Sequence, residues 1–290
     1  GSNDLRILGN ISYRDVVGVM KGSSRKNISG NLTTSYRLKN LAFRNIMSAN
    51  NNNATESPYG TFDEYAKMNP YWRAENIDGT IPYYAEIGPN GERYTNPLYN
   101  ADLNSRIASS YFNFTNNFYL EWDIIPGLRA TTRVGIDVKK NEADEFYPSS
   151  HTRFEGYVGE EMAKRKGSYQ LNNGESSYLS GDFNVNYSKS IDKHFYFANA
   201  GFNISENKFN EVIHRVEGFP SNRMDNIMFG RAYALDARPT GIDGISRDLG
   251  FLGVGSYMYD NRFLTDLTLR TSASSQFGAD KRWAKFWSLG

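Results

Sequence analysis

The sequence has no cysteine, no long apolar run and almost no net charge. Without cysteine, the chain can form neither a disulfide framework nor a thiolate metal site. No stretch approaches the ~18 consecutive apolar residues of a transmembrane helix. The 33 Lys and Arg residues are balanced by 32 Asp and Glu residues. The nearly neutral chain therefore gives no electrostatic reason to expect nucleic acid or an anionic membrane surface as a partner.

Side chains suited to catalysis or to a cofactor are also scarce. The three histidines lie far apart, at His151, His194 and His214, without the close spacing of a metal site. The glycines between positions 250 and 255 are not followed by a predicted helix, so they do not indicate a phosphate-binding loop. The strands show no convergent acid, base or nucleophile. We therefore expect no metal, no cofactor and no enzymatic activity.

Aromatic residues, in contrast, are abundant in a chain that is hydrophilic on average. Phe, Tyr and Trp make up 14% of the residues, with 20 Tyr and 18 Phe, while the mean hydropathy is −0.62. A membrane β-barrel explains this combination, because apolar residues that face lipid alternate with polar residues that face the lumen. No single window of such a sequence is strongly apolar.

The clearest alternation runs from Phe112 to Ile124. One side carries Phe112, Phe114, Phe118, Leu120, Trp122 and Ile124. The other side carries Asn113, Thr115, Asn117, Tyr119, Glu121 and Asp123. A period of two predicts a strand with one apolar and one polar face, interrupted on the apolar face only by Asn116.

The same alternation recurs along the chain and predicts about ten strands. They are Leu5–Val16, Ile28–Leu38, Leu41–Ala49, Phe112–Ile124, Leu128–Val138, Leu179–Tyr187, Tyr196–Ile204, Leu249–Tyr259, Phe263–Phe277 and a last one from Ala284. At one end of the predicted sheet, the strands are joined by turns of two or three residues, at 39–40, 126–127, 191–193 and 260–262. The other end receives long loops at 50–106, 141–176 and 207–247, with a short helical turn at 62–68. Short turns on one side and long loops on the other are typical of outer-membrane barrels.

Several segments resemble the barrel of SusC/RagA-type TonB-dependent transporters of Bacteroidetes. The matching segments are Asn31–Tyr36 with its following Lys-Asn turn, Ser57–Tyr65, Asn69–Arg73, and Tyr257–Leu264 with its continuation to Gly278. The family's last strand pair usually ends in an arginine followed by Asp-Gly-Ser-Ser-Arg-Phe-Gly. Here Ser272-Ala273 replaces Asp-Gly, and Gln276 replaces the second arginine.

This resemblance implies an all-β fold, namely about ten strands of an antiparallel transmembrane barrel that has 22 strands in the family. Residues 1–290 are then part of the barrel domain, and we expect the plug and the TonB box to be absent from them. Gly1-Ser2 is interpreted as a cloning remnant. The implied function is uptake of an oligomeric nutrient across the bacterial outer membrane. A glycan is the favoured substrate class, and a peptide is the alternative. The implied partners are a SusD-like lipoprotein, the TonB complex acting through the plug, and outer-membrane lipid.

Candidate contact residues for substrate or lipoprotein are the aromatic residues of the first long loop, because aromatic faces suit the C–H faces of sugar rings. They are Tyr59, Phe62, Tyr65, Tyr71, Trp72, Tyr83, Tyr84 and Tyr94. For any single residue, the favoured alternative is that it simply packs the loop against the barrel or against a lid protein. Candidate lumen-facing residues are Arg129, Arg133, Asp137, Asp182, Asp266 and Arg270. Aromatic residues predicted to form the interfacial girdles are Trp122, Tyr147, Tyr187, Tyr257, Tyr259, Trp283 and Trp287.

Two other classes of protein remain open at this point. A soluble β-sandwich, such as a carbohydrate-binding module, would also be rich in strands, but it has no reason to sort its connections by length. A non-transporting outer-membrane protein, such as an adhesin, would share the barrel. The sorted loop lengths favour the barrel over the sandwich.

Overall fold

The computed structural model describes residues 4–290, apart from the side chain of Glu64, so the interpretation of Gly1-Ser2 lies outside the described residues. The strands are β1 (Leu5–Val17), β2 (Ser24–Leu38), β3 (Leu41–Thr55), β4 (Tyr84–Ile87), β5 (Arg93–Thr95), β6 (Arg106–Ile125), β7 (Leu128–Tyr147), β8 (Ser168–Ile191), β9 (His194–Glu217), β10 (Ala232–Tyr233), β11 (Thr240–Tyr259), β12 (Phe263–Ser274) and β13 (Trp283–Leu289). The short helices are α1 (Phe62–Ala66), α2 (Pro97–Ala101) and α3 (Glu160–Ala163), with 3₁₀ turns at Thr152–Phe154, Ile227–Phe229 and Ala279–Lys281.

One antiparallel sheet organises the molecule. Its strands follow the order β1-β2-β3-β6-β7-β8-β9-β11-β12-β13, and the short β10 pairs with β9. Neighbours in the chain are therefore neighbours in the sheet, apart from the small β4–β5 hairpin within the first long loop. Across residues 4–290, no helix is both long and apolar enough to span a membrane.

The strand register confirms the two predicted faces. On the apolar face, Val134 pairs with Phe118 of β6, and Thr132 pairs with Phe183 of β8. On the polar face, Arg133 pairs with Asp182, and the atoms Nη2 and Oδ2 lie 2.6 Å apart. Because side chains alternate along each strand, this pairing keeps the corresponding faces of neighbouring strands on the same side of the sheet.

The six candidate lumen residues all lie on this polar face. The register connects Asp182 across β9 and β11 to Ser272 of β12. Asp266 and Arg270 are an even number of residues from Ser272, so they share its face. Arg129 and Asp137 are likewise in phase with Arg133.

Asn116, which interrupts the apolar face, has a partner. Asn45 of β3 lies on the same face, and its Nδ2 donates a hydrogen bond to Asn116 Oδ1 at 2.9 Å. Asn116 Nδ2 donates in return to Asn45 Oδ1 at 3.3 Å. An isolated amide in a lipid-facing surface would be costly, and this reciprocal pair satisfies one donor and one acceptor on each side chain.

The four predicted tight turns are confirmed. Lys39, Asp192 and Asp260 adopt left-handed backbone conformations with φ of 47°, 50° and 51°. Such values suit short hairpin turns, whose backbone twist matches that of the flanking strands. At Pro126-Gly127, the glycine has φ 86°, which a side chain would strain.

The predicted extents of the long loops were wrong. Strands β7, β8 and β9 continue well beyond the apolar alternation, and β8 and β9 each reach 24 residues. The three loops are accordingly shorter, spanning 56–105, 148–167 and 218–239. The extended parts mix apolar side chains such as Phe146 and Val216 with polar pairs such as Lys140 and Glu175, whose Nζ and Oε1 lie 3.0 Å apart, and they show no regular period of two. The regular alternation of apolar and polar residues therefore covers about the 9–11 residues that a strand needs to span the membrane, while backbone pairing continues beyond it.

The buried core is small and lies at the loop end of the sheet. Phe146, Tyr169, Val216 and Phe219 form it, with Leu171 and Ile227 packed against them. Most large apolar side chains of the strands stay exposed instead, as Ile11 does at 86%. This inversion is expected of a sheet whose apolar face contacts lipid rather than a second layer.

Candidate functional site at the loop end of the sheet

A cavity of about 1500 Å³ lies at the loop end of the sheet. Its walls come from the β1–β2 turn, from the first long loop and from the second long loop. The residues that line it include Tyr59, Phe62, Trp72, Arg93, Tyr94, Ser105, Arg106, Tyr147, Arg153 and Glu155. A volume of this size exceeds that of ordinary small-molecule pockets, about 300–1000 Å³, so the cavity can hold an oligomer.

Four of the eight candidate aromatic residues line this cavity. Trp72 and Tyr94 pack with their ring centroids 5.2 Å apart, and Trp72 Nε1 donates a hydrogen bond to a carboxylate oxygen of Glu86. Tyr59 lies under the ammonium group of Lys21, which is 5.7 Å from the ring centroid. Phe62 opens helix α1, which confirms the predicted helical turn, and its side chain is 65% exposed.

The other four candidates do not line the cavity. Tyr65 packs edge-on against Tyr59, with the ring centroids 6.1 Å apart. Tyr71 is 91% exposed. Tyr83 and Tyr84 pack against each other and attach the first long loop to the second. Whether any of the eight contacts substrate stays a prediction.

The contact between the two loops is extensive. Tyr84 Oη donates to Glu155 Oε1 at 2.8 Å, and Asn100 Nδ2 donates to Thr152 Oγ1 at 2.7 Å. The backbone amide of Thr152 donates back to Asn100 Oδ1 at 3.1 Å. Burial, assisted by the nearby carboxylate of Glu155, raises the pKa of Tyr83 to about 12. The hydrogen bonds and the packed tyrosines join the two loops where they meet beside the cavity.

Several residues that line the cavity were not predicted from the sequence to belong to a binding site. The guanidinium of Arg153 stacks over Tyr147, 3.8 Å from the ring centroid, and its Nη1 lies 3.5 Å from Glu145 Oε1. Tyr147 shares the polar face of β7 and lines the cavity, so its assignment to an interfacial girdle was wrong. Both residues fall in or beside the stretch interpreted as an irregular loop, where no periodic signal marked them.

Ser105 and Arg106 close one side of the cavity. Ser105 Oγ is the one fully buried side-chain polar atom without a hydrogen-bond partner in the part of the chain described. Arg106 contacts two carboxylates, with Nε 2.6 Å from Asp144 Oδ2 and Nη1 2.9 Å from Asp225 Oδ2. This arginine fixes the third long loop to β7 beside the buried serine.

The polar face below the cavity is rich in hydrogen bonds. Asn113 Nδ2 and Thr115 Oγ1 both donate to the carboxylate of Asp137, at 3.1 Å and 2.6 Å. Arg129 Nε lies 2.6 Å from Asp123 Oδ1. Within residues 4–290, no group of three or more His, Asp or Glu side chains could hold a metal ion. The arrangement can bind polar ligands.

This combination of a meandering antiparallel sheet, an exposed apolar face and a large cavity under long loops defines a segment of an outer-membrane β-barrel. No family model matches the chain. It is similar to TonB-dependent receptor P39 of Formosa agariphila, with 24% identity over 297 residues that cover 99% of this chain and 26% of that protein. The chain therefore spans about a quarter of the length of this curated relative.

The solved structures place the fold in the same class. The RagAB peptide transporter matches all of this chain with a TM-score of 0.77 and 19% identity, over 32% of the transporter chain. BauA, the ferric preacinetobactin receptor of Acinetobacter baumannii, matches with a TM-score of 0.55 and 11% identity, over 40% of that chain. These similarities confirm the predicted resemblance to SusC/RagA-type TonB-dependent transporters, the antiparallel barrel fold and the outer-membrane location. They contradict the β-sandwich alternative. The matching proteins are named as receptors and transporters, not as enzymes.

Proposed function

We propose that residues 1–290 form part of the barrel domain of a SusC/RagA-type importer that takes up an oligomeric nutrient through the outer membrane. The cavity of about 1500 Å³ is the observation that carries this proposal. It lies at the loop end of a barrel wall, over the polar face that a substrate would pass. In the complete protein, the plug and the TonB box would supply the coupling to the TonB complex.

A glycan is the substrate class that we favour. Trp72 and Tyr94 present paired rings at the cavity wall, and Arg93 and Glu155 offer polar contacts. Sugar rings combine apolar C–H faces with hydroxyl groups, so they suit such a surface. An oligopeptide is the second candidate, because the RagAB structure is that of a peptide transporter.

A SusD-like lipoprotein is the partner that we propose for the loop end. The first long loop exposes apolar side chains to solvent, with Tyr71 at 91% and Ile77 at 97%. Exposed apolar side chains on one loop favour contact with another protein. A lipoprotein that covers this loop would also close the cavity from outside.

The experiment is calorimetric titration of the full-length protein, purified in detergent, with oligosaccharides and with oligopeptides. We expect Trp72→Ala and Tyr94→Ala each to weaken binding by about tenfold, because each removes an aromatic contact worth about 1–1.5 kcal/mol. Tyr71→Ala is the matched control, since it truncates an exposed aromatic residue of the same loop outside the cavity.

Each result has a defined meaning. Binding of oligosaccharides that weakens only in the two cavity variants supports the glycan proposal. Binding of oligopeptides alone, with the same dependence on Trp72, replaces the glycan by a peptide. Equal binding by Trp72→Ala, Tyr94→Ala and the wild type would show that this cavity is not the substrate site.

A further inference from the structure

A second cavity, of about 620 Å³, lies between the second and third long loops, away from the first. Its lining residues are Ser149, Ser150, Ala163, Lys164, Lys166, Gly218, Phe219, Pro220, Ser221, Asn222 and Arg231. Three of these side chains are cationic, four are small and polar, and none is a carboxylate. It shares no lining residue with the first cavity.

Two glycines bring the cationic residues together. Gly167 and Gly218 have φ of 88° and 82°, and Gly218 N donates to Gly167 O at 3.0 Å. A Cβ atom added at Gly218 would lie 2.7 Å from the carbonyl oxygen of Lys164 and 2.9 Å from Arg231 Cβ. The close approach of the two loops therefore requires glycine here. Because the backbones meet, Lys164, Lys166 and Arg231 converge on one cavity.

The positive charge of this cavity is only partly neutralised. Lys164 Nζ contacts Glu160 and Glu161 at 2.7 Å and 2.9 Å. Within the described residues, neither Lys166 nor Arg231 has a carboxylate within 4.0 Å, and Lys166 is half-buried. Without an ion-pair partner in the described residues, both groups can pair with an anion from outside the chain.

The opposite wall supplies uncharged hydrogen-bonding groups. Asn222 Nδ2 donates to Ser150 Oγ at 2.7 Å, and Ser149 Oγ donates to Asn222 Oδ1 at 3.2 Å. This network fixes the two serine hydroxyls at the edge of the cavity. Phe219, only 3% exposed, anchors the adjoining backbone in the Phe146 core.

We propose that this cavity is an anion site that binds a phosphate or sulfate group carried by a saccharide. Lys166 and Arg231 would provide the charge. The hydroxyl of Ser150, which accepts from Asn222 and keeps its own proton, would donate to the oxyanion, and Ser149 Oγ would accept from a neighbouring sugar hydroxyl. The site lies at the loop end of the sheet, which is the extracellular side of an outer-membrane barrel. The saccharide is either free or part of a lipid of the outer leaflet.

The test uses the full-length protein in detergent and inorganic phosphate as the probe, at constant ionic strength. We expect phosphate to raise the thermal unfolding midpoint more than chloride does. The combined variant Lys166→Gln/Arg231→Gln should weaken phosphate binding at least tenfold, and Lys166→Arg should retain it. Lys189→Gln is the matched control, because Lys189 is an exposed lysine without an ion pair at the other end of β8.

Heat-dependent migration on gels verifies that each variant has folded as a barrel. Equal stabilisation of the wild type and the folded Gln/Gln variant, or equal effects of phosphate and chloride, would overturn the proposal. A second titration compares lipopolysaccharide with its dephosphorylated form. Phosphate-dependent binding of the lipid identifies a lipid-linked source. Binding of inorganic phosphate without binding of the lipid identifies a free saccharide.

Discussion

At the scale of single residues, the apolar face contains a polar pair, Asn45 and Asn116. In the sequence, only Asn116 was noticed, as a break in the apolar alternation. Asn116 broke the alternation of β6, and nothing in the sequence identified Asn45 as its partner, 71 residues away. The strand register brings them together. Residues such as these cannot be paired from a single sequence, because the pairing depends on which strands are neighbours.

The pair gives the first prediction. Asn116→Ala leaves the amide of Asn45 without its partner in a surface that faces lipid, so we expect the free energy of unfolding to fall by about 1–2 kcal/mol. Asn45→Ala should cost a similar amount. Urea unfolding of the full-length protein in lipid vesicles measures both changes.

The double variant tests whether the two asparagines act together. If they do, Asn45→Ala/Asn116→Ala should lose clearly less stability than the sum of the two single variants, since neither amide is then left unpaired. Additive losses would show that the reciprocal hydrogen bonds contribute nothing as a pair.

At the scale of strands and turns, the turns were predicted to within one residue and the strand ends were not. Turns can be predicted because a backbone φ of 86°, as at Gly127, favours glycine, and glycine is read directly from the sequence. The outer ends of β8 and β9 show the opposite. Their residues, such as Asn173 and Asn210, are mostly polar and show no regular alternation, and only pairing with neighbouring strands makes them extended.

The Pro126-Gly127 turn gives the second prediction. An alanine at position 127 would place its Cβ 2.3 Å from the carbonyl oxygen of Ser188, in a backbone conformation that alanine rarely adopts. We therefore expect Gly127→Ala to lower the free energy of unfolding by about 1–3 kcal/mol, as measured by urea unfolding.

Gly253→Ala is the control for this substitution. Gly253 lies within β11, where an added Cβ meets no atom within 4 Å. We expect this variant to be neutral or slightly stabilising, because alanine loses less backbone entropy than glycine on folding. If both variants lost the same stability, the positive φ at Gly127 would not be the cause.

At the scale of the whole molecule, the sheet class and its two faces followed from the period-two alternation, while the cavity did not. Its walls combine Trp72 from the first loop with Arg153 from the second, and only the docking of the two loops joins them. Loop–loop contacts such as Asn100 with Thr152 leave no periodic trace in a sequence. The aromatic content of the first loop therefore indicated a binding surface without defining its members.

The last prediction concerns the edges of the sheet. Along residues 4–290, β1 and β13 each pair on one side only, and β1 is exposed throughout. Unpaired strand edges and a wide apolar face both promote association, and a membrane tolerates no open edge. We expect residues 1–290 alone to aggregate in detergent-free buffer and the full-length protein to form a closed barrel in detergent. Sedimentation velocity compares the two. A monodisperse monomer of residues 1–290 in buffer would contradict the lipid-facing assignment, because a stable monomer would have to bury side chains such as Ile11 and Phe118 within itself.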